Sequence, residues 1–134
     1  YSLWNAATWT AAASVPAGTY PGGEPIYQRL AANPGANDMV LAVNDAAFDD
    51  YVMVWDGSSS WGNGLTLDAT GTAADDRTAL NVAYEGLSGR AMVVYGKDAD
   101  VKVYYRLWNG TSWTAEASVT PTGVLGQLLP FLAA

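Results

Sequence analysis

Neither cysteine nor histidine occurs among the 134 residues. Their absence excludes disulfides, thiol nucleophiles, Ser-His-Asp triads and His/Cys zinc sites. Stability has to come from packing or from assembly. Basic residues are scarce as well: six Lys and Arg stand against 13 Asp and Glu, for a net charge of −7. Proteins that bind duplex DNA or anionic membranes carry the opposite sign, so nucleic acid is not an expected partner. No apolar run reaches the length of a transmembrane helix. Phosphate-loop and dinucleotide-binding motifs are missing too. Tyr1 stands where Met would begin a translated chain, and no signal peptide is visible, as in a mature or excised segment.

Half of the residues are apolar and only 14% are charged, which is too hydrophobic a composition for disorder. The length suffices for one domain with a real core. Fourteen glycines and six prolines suit many short strands joined by turns.

The most informative feature is an internal repeat. Tyr1-Ser-Leu-Trp4-Asn-Ala-Ala-Thr-Trp9 matches Tyr105-Arg-Leu-Trp108-Asn-Gly-Thr-Ser-Trp113, and Tyr51-Val-Met-Val-Trp55-Asp-Gly-Ser-Ser-Ser-Trp61 lies between them. The copies recur roughly every fifty residues and contain all six tryptophans of the chain. The match runs on from Trp9-Thr-Ala-Ala-Ala-Ser-Val15 to Trp113-Thr-Ala-Glu-Ala-Ser-Val119. Upstream, Met39-Val-Leu-Ala-Val43 answers Ala91-Met-Val-Val-Tyr95.

Each full unit predicts four short strands: 26–32, 39–44, 51–56 and 61–68, then 78–85, 90–96, 101–109 and 113–119. A half unit over 1–15 supplies the last two strands of an earlier unit. The domain is therefore 1–122, with the half unit and units 26–68 and 78–119, followed by an apolar tail over 123–134. Asp56-Gly57 and Asn109-Gly110 are hairpin-turn pairs, since glycine reaches positive φ without strain; Asn5-Ala6 is a weaker version. Val103, Tyr105 and Leu107 share one face, and Tyr104, Arg106 and Trp108 the other. Val52 and Val54 likewise oppose Tyr51, Met53 and Trp55. Both faces are apolar, which predicts sheets covered on both sides. The expected fold class is all-β, with antiparallel four-stranded meanders as β-propeller-like blades or, alternatively, a β-sandwich.

The order of strand, acidic turn, aromatic strand, Trp-Asn/Asp-Gly and Trp resembles the blades of bacterial sialidase-like (BNR-type) β-propeller repeats of secreted proteins. The resemblance covers about 120 residues. It implies a propeller blade and an extracellular or cell-surface setting. The Asp-box of that family, Ser-x-Asp-x-Gly-x-x-Trp, has no match here.

Candidate sites follow from residue type. Trp4, Trp9, Trp55, Trp61, Trp108 and Trp113 flank turns and can pair across strands. They can also stack on sugar rings, with Asp56 and Asn109 accepting hydroxyl hydrogens. Asp45, Asp49, Asp50, Asp98 and Asp100 sit in acidic turns. Such side chains cap their own backbone, and they are also the hard oxygen ligands that calcium prefers. No other cofactor is expected. Asp49, Asp50 and Glu85 are the carboxylates a glycosidase would draw upon. Asn109-Gly-Thr111 is a glycosylation sequon. Val124, Leu125, Leu128, Leu129, Phe131 and Leu132 of the tail would cover the core of their own domain or insert into a neighbouring copy.

Two and a half blades do not close a ring, and unmatched strand edges are templates for another chain. The leading expectation is a non-catalytic extracellular β-repeat protein acting by self-association, as a surface, filament or adhesin module. Its partner is then another copy or the rest of a longer chain. A carbohydrate-binding, lectin-like module is the alternative, with glycans as partners. A fragment of a glycoside-processing enzyme is the remote one.

Overall fold

The structure is a computed structural model that describes residues 1–16, 18–70, 80–97 and 100–122. Four strands form a first sheet: β1 (Pro25–Ala32), β2 (Met39–Asp45), β3 (Asp50–Trp55) and β4 (Trp61–Asp68). Four more form a second: β5 (Leu80–Tyr84), β6 (Ala91–Tyr95), β7 (Val103–Trp108) and β8 (Ala117–Val119). Within each sheet the spatial order is the sequence order, and every neighbouring pair is antiparallel. The described residues contain no helix, and neither sheet closes on itself. The architecture is all-β, as the turn spacing and apolar runs predict. The tail over 123–134, with its six named apolar residues, lies outside the described residues, as do Asp98 and positions 78 and 79.

The strand bounds follow the sequence closely in the first unit and less so in the second. Trp113 pairs with Trp108 only through an isolated bridge, and β8 begins at Ala117. The half unit departs further. Residues 1–15 form a narrow hairpin, with an isolated bridge between Trp4 and Trp9 and no regular strand. Its backbone bonds run from Thr10 N–H to Leu3 O (2.8 Å) and from Ala13 N–H to Tyr1 O (2.8 Å). A ribbon of two segments without flanking strands has little to hold it flat, so it does not develop a full ladder.

Register decides which residues share a face. In the first sheet Met39 lies opposite Trp55, Leu41 opposite Met53 and Val43 opposite Tyr51. The alternate pairs, Val40 with Val54 and Ala42 with Val52, point the other way. That second set is buried together with Leu80, Val82, Tyr84, Val93 and Trp108 of the second sheet, in one core between the sheets. Of the first set, Val43, Tyr51, Met53 and Trp55 are buried and Met39 and Leu41 partly so, with Leu3, Val15 and Tyr20 of the N-terminal segment packed against them. The first sheet is thus the middle of three layers, hairpin, sheet and sheet. That is why its central strands are apolar on both faces: β3 is buried at every one of its six positions.

The N-terminal segment sits very close to β4. A Cβ added at Gly64 would lie 2.1 Å from Thr19 O, so only glycine lets the two backbones approach. Beside it, Asn63 has a φ of 49°, and the β3–β4 register slips between Val52 and Val54. This is a β-bulge, and it turns the Asn63 carbonyl toward the second sheet. There it accepts a hydrogen bond from Trp113 Nε1 at 3.0 Å. A second link between the layers is Tyr84 Oη–H donating to Asp38 Oδ2 at 2.6 Å.

Candidate functional site

The site most heavily written into the sequence is the tryptophan pair, and the chain builds it three times. Each pair straddles a tight turn. Asn5 Oδ1 accepts from Ala7 N (3.0 Å) and Thr8 N (2.8 Å). Asn109 Oδ1 does the same for Thr111 N and Ser112 N, both at 2.9 Å. Asp56 Oδ1 accepts from Ser58 N (2.8 Å), Ser59 N (2.8 Å) and Ser60 N (3.1 Å). The N–H groups of Ser59, Ser60 and Ser58 hold the Asp56 carboxyl well below the usual carboxylate range. The next residue is left-handed in every copy: Ala6 at φ 72°, Gly57 at 82° and Gly110 at 93°. Glycine takes that conformation freely, whereas Ala6 is strained by roughly 1 kcal/mol.

These turns set the rings at one geometry. Centroids are 5.5 Å apart for Trp4–Trp9, 5.6 Å for Trp55–Trp61 and 5.4 Å for Trp108–Trp113, with interplanar angles of 52°, 58° and 50°. Their surroundings differ. Trp55 and Trp61 are 4% and 8% exposed. Tyr1 lies edge-on over both, at 5.5 and 6.2 Å. Trp108 is 3% exposed and belongs to the core between the sheets, with Trp113 packed beside it. Trp4 and Trp9 are 54% and 67% exposed. Only this last pair offers open ring faces to a ligand. Asp56 and Asn109 direct their oxygen acceptors into their own turns. Asn109 is exposed, with Nδ2 3.4 Å from Ser112 Oγ.

A cleft of about 470 Å³ opens beside the two inner pairs, where the sheets meet. Trp55, Trp108, Asp38, Asp56, Ser60 and Asn63 contribute to its wall. The Nε1–H of Trp108 is buried and has no hydrogen-bond partner.

The acidic turns lie elsewhere. Asp45 Oδ2 accepts from Gly23 N (2.7 Å), and its Oδ1 accepts from Ala47 N (2.9 Å) and Asp49 N (3.0 Å), so it ties the N-terminal segment to the β2–β3 turn. Asp49 accepts from Tyr51 Oη–H at 3.3 Å. Asp100 accepts from Lys102 N (3.1 Å) and from Tyr104 Oη–H; the tyrosine bond, more than any other cause, lowers its pKa. Among the described residues no three carboxylates converge at metal-binding spacing. Glu85 faces Arg90 across the β5–β6 turn at 3.2 Å. That turn and the β2–β3 turn bearing Asp49 and Asp50 lie at opposite ends of the stacked sheets, so these carboxylates are not brought together.

Asp50 is the exceptional carboxyl. It is 1% exposed, stands opposite Asp68 on β4, and accepts from Asn44 Nδ2 at 2.9 Å. Burial pushes its pKa up to about 7; the Asn44 bond opposes this, while the charges of Asp68, Asp49 and Asp45 add to it. Oδ2 of Asp50 and Oδ2 of Asp68 are buried without hydrogen-bond partners. The sequence places Asp50 in a turn and gives no sign of burial, because strand-end aspartates look alike whether capped or enclosed. Sequence reasoning did not single out Leu3 and Val15, which pack against the buried cluster of Val43, Tyr51, Met53, Trp55 and Trp61.

No protein-family model, curated protein or solved structure compared with the chain matches it. Among the described residues no helix is long and apolar enough to cross a membrane.

Proposed function

We propose that this chain is a non-catalytic β-repeat module of extracellular or cell-surface proteins, whose units stack face to face as propeller-like blades and which works by self-association. The observation that carries the reading is the fate of the three tryptophan pairs. Two are covered by a neighbouring layer of the same chain, and the third, Trp4–Trp9, is open. Exposed Trp on a monomer marks an interaction surface when the same constellation is buried elsewhere in the molecule. The resemblance to BNR-type blades supports stacking as the use of that surface. Sedimentation from about 1 to 500 µM, a range that covers weak association, is expected to give species heavier than one chain, with rings or filaments by electron microscopy. A single monomeric species across that range would remove the reading.

A second reading, carbohydrate binding, is favoured by one feature: the inter-sheet cleft, whose wall includes two tryptophans and two aspartates. Titration calorimetry against neutral oligosaccharides tests it, and the absence of heat at millimolar sugar would set it aside.

A further inference from the structure

Two surfaces recur where the layers meet. One is a tryptophan pair. The other is a set of apolar residues at fixed offsets from the pair of the preceding unit, namely one and three residues before its first Trp and six after its second. In the half unit these are Leu3, Tyr1 and Val15, and they cover Trp55 and Trp61. In the first sheet they are Val54, Val52 and Leu67, which are buried in the core that holds Trp108. In the second sheet they are Leu107, Tyr105 and Val119. Register puts Tyr105 on the same face as Val103, and Val103 lies opposite Val119. No described strand packs on that face; Val94, opposite Tyr105, is buried, Tyr105 and Leu107 are half-buried, and Val119 at the edge is 54% exposed where its counterpart Val15 is packed.

The molecule therefore carries one covering surface with nothing described beneath it and one tryptophan pair with nothing over it. They lie on opposite ends of the three-layer stack. Resting on the self-association reading, we propose that the face around Tyr105, Leu107 and Val119 seats on the Trp4–Trp9 pair of a second copy, joining copies head to tail. The occupant is a second copy because equivalent apolar residues already pack in one buried cluster with equivalent tryptophans twice within the chain. Such a contact is heterologous: it leaves a free surface of each kind at the ends, and it grows into a ring or a filament according to the rotation between copies. One blade face is smaller than a standard interface, so association in the upper micromolar range is expected.

Two substitutions at exposed positions test this in the full chain, with circular dichroism checking the fold of each. Trp9→Glu blocks the open pair, and Val119→Glu blocks the covering face. Each alone is expected to weaken association at least tenfold. An equimolar mixture is expected to restore it as a 1:1 dimer that grows no further, because the intact pair of one variant meets the intact face of the other. If the wild type associates and both variants associate equally well, the head-to-tail contact is wrong while self-association through another surface stands. A Val119→Glu variant that dimerises normally alongside a monomeric Trp9→Glu variant means an isologous Trp–Trp contact and also overturns the proposal. A wild type that stays monomeric removes the self-association reading itself.

Discussion

Among single residues, Asp50 has the clearest energetic consequence. Its folded-state pKa of about 7 lies above the ordinary 3.8 of a free aspartate. Between those values the folded chain holds a proton that the unfolded chain has released. Raising the pH through that window therefore favours unfolding, and the loss is complete above about pH 7. A shift of that size corresponds to roughly 4 kcal/mol. Asp50→Asn removes the ionisation while keeping an oxygen for Asn44 to donate to. The variant is expected to be more stable than the parent by about 2 kcal/mol at pH 8, with a flatter profile from pH 4 to 7. Urea unfolding at several pH values measures both. A parent whose stability rises steadily from pH 4 to 8 would show that Asp50 is ionised in the fold. Carboxyls with lowered pKa, such as Asp56 and Asp100, act in the opposite sense, and their contribution is lost only as the pH falls below the ordinary carboxylate range.

At the scale of elements, the hairpin layer is held on the first sheet by a backbone approach that a single methyl would block. Gly64→Ala places a Cβ against Thr19 O, and one of the two segments must move. Thr19 Oγ1 also donates to Trp61 O at 3.3 Å, so lifting the segment exposes the Trp55–Trp61 pair. The expected result is a loss of about 1–3 kcal/mol and a red shift of tryptophan emission, with the second sheet unchanged. Unaltered emission would mean that β4 yields instead of the hairpin. Much of this level was legible in the sequence. Continuous apolar runs in 39–44 and 51–56 mark strands covered on both faces, and the repeated Trp-Asn/Asp-Gly turns mark the hairpins. The pairing of Trp55 with Trp61 and of Trp108 with Trp113 followed from their spacing. What the sequence did not disclose depends on long-range register. Anchored on tryptophan, the counterpart of Tyr1 is Val52 and not Tyr51, because the strand before Trp55 has Tyr51 one residue further away and hence on the other face. The bulge at Asn63 and the burial of Asp50 have no local signature at all.

For the molecule as a whole, charge and stacking pull in opposite directions. A net charge of −7 on a 14.1 kDa chain makes any two copies repel. The surfaces proposed to join them, Trp4 and Trp9 on one side and Tyr105, Leu107 and Val119 on the other, carry no charge of their own. Apolar burial should therefore hold the contact, and long-range repulsion should limit it. Added salt screens the repulsion, shortening the Debye length from about 20–30 Å near 0.01–0.02 M to about 8 Å at 0.15 M. It leaves the apolar term nearly untouched. Self-association is thus expected to tighten severalfold over that range and again as the pH approaches the sequence pI of about 4.1. Sedimentation at fixed protein concentration across a salt series measures the first effect. Association that weakens with salt would instead place ion pairs at the contact, such as the exposed Arg90 and Glu85 exchanging partners between copies. It would direct the search for the interface to the β5–β6 turn and away from the tryptophan pair.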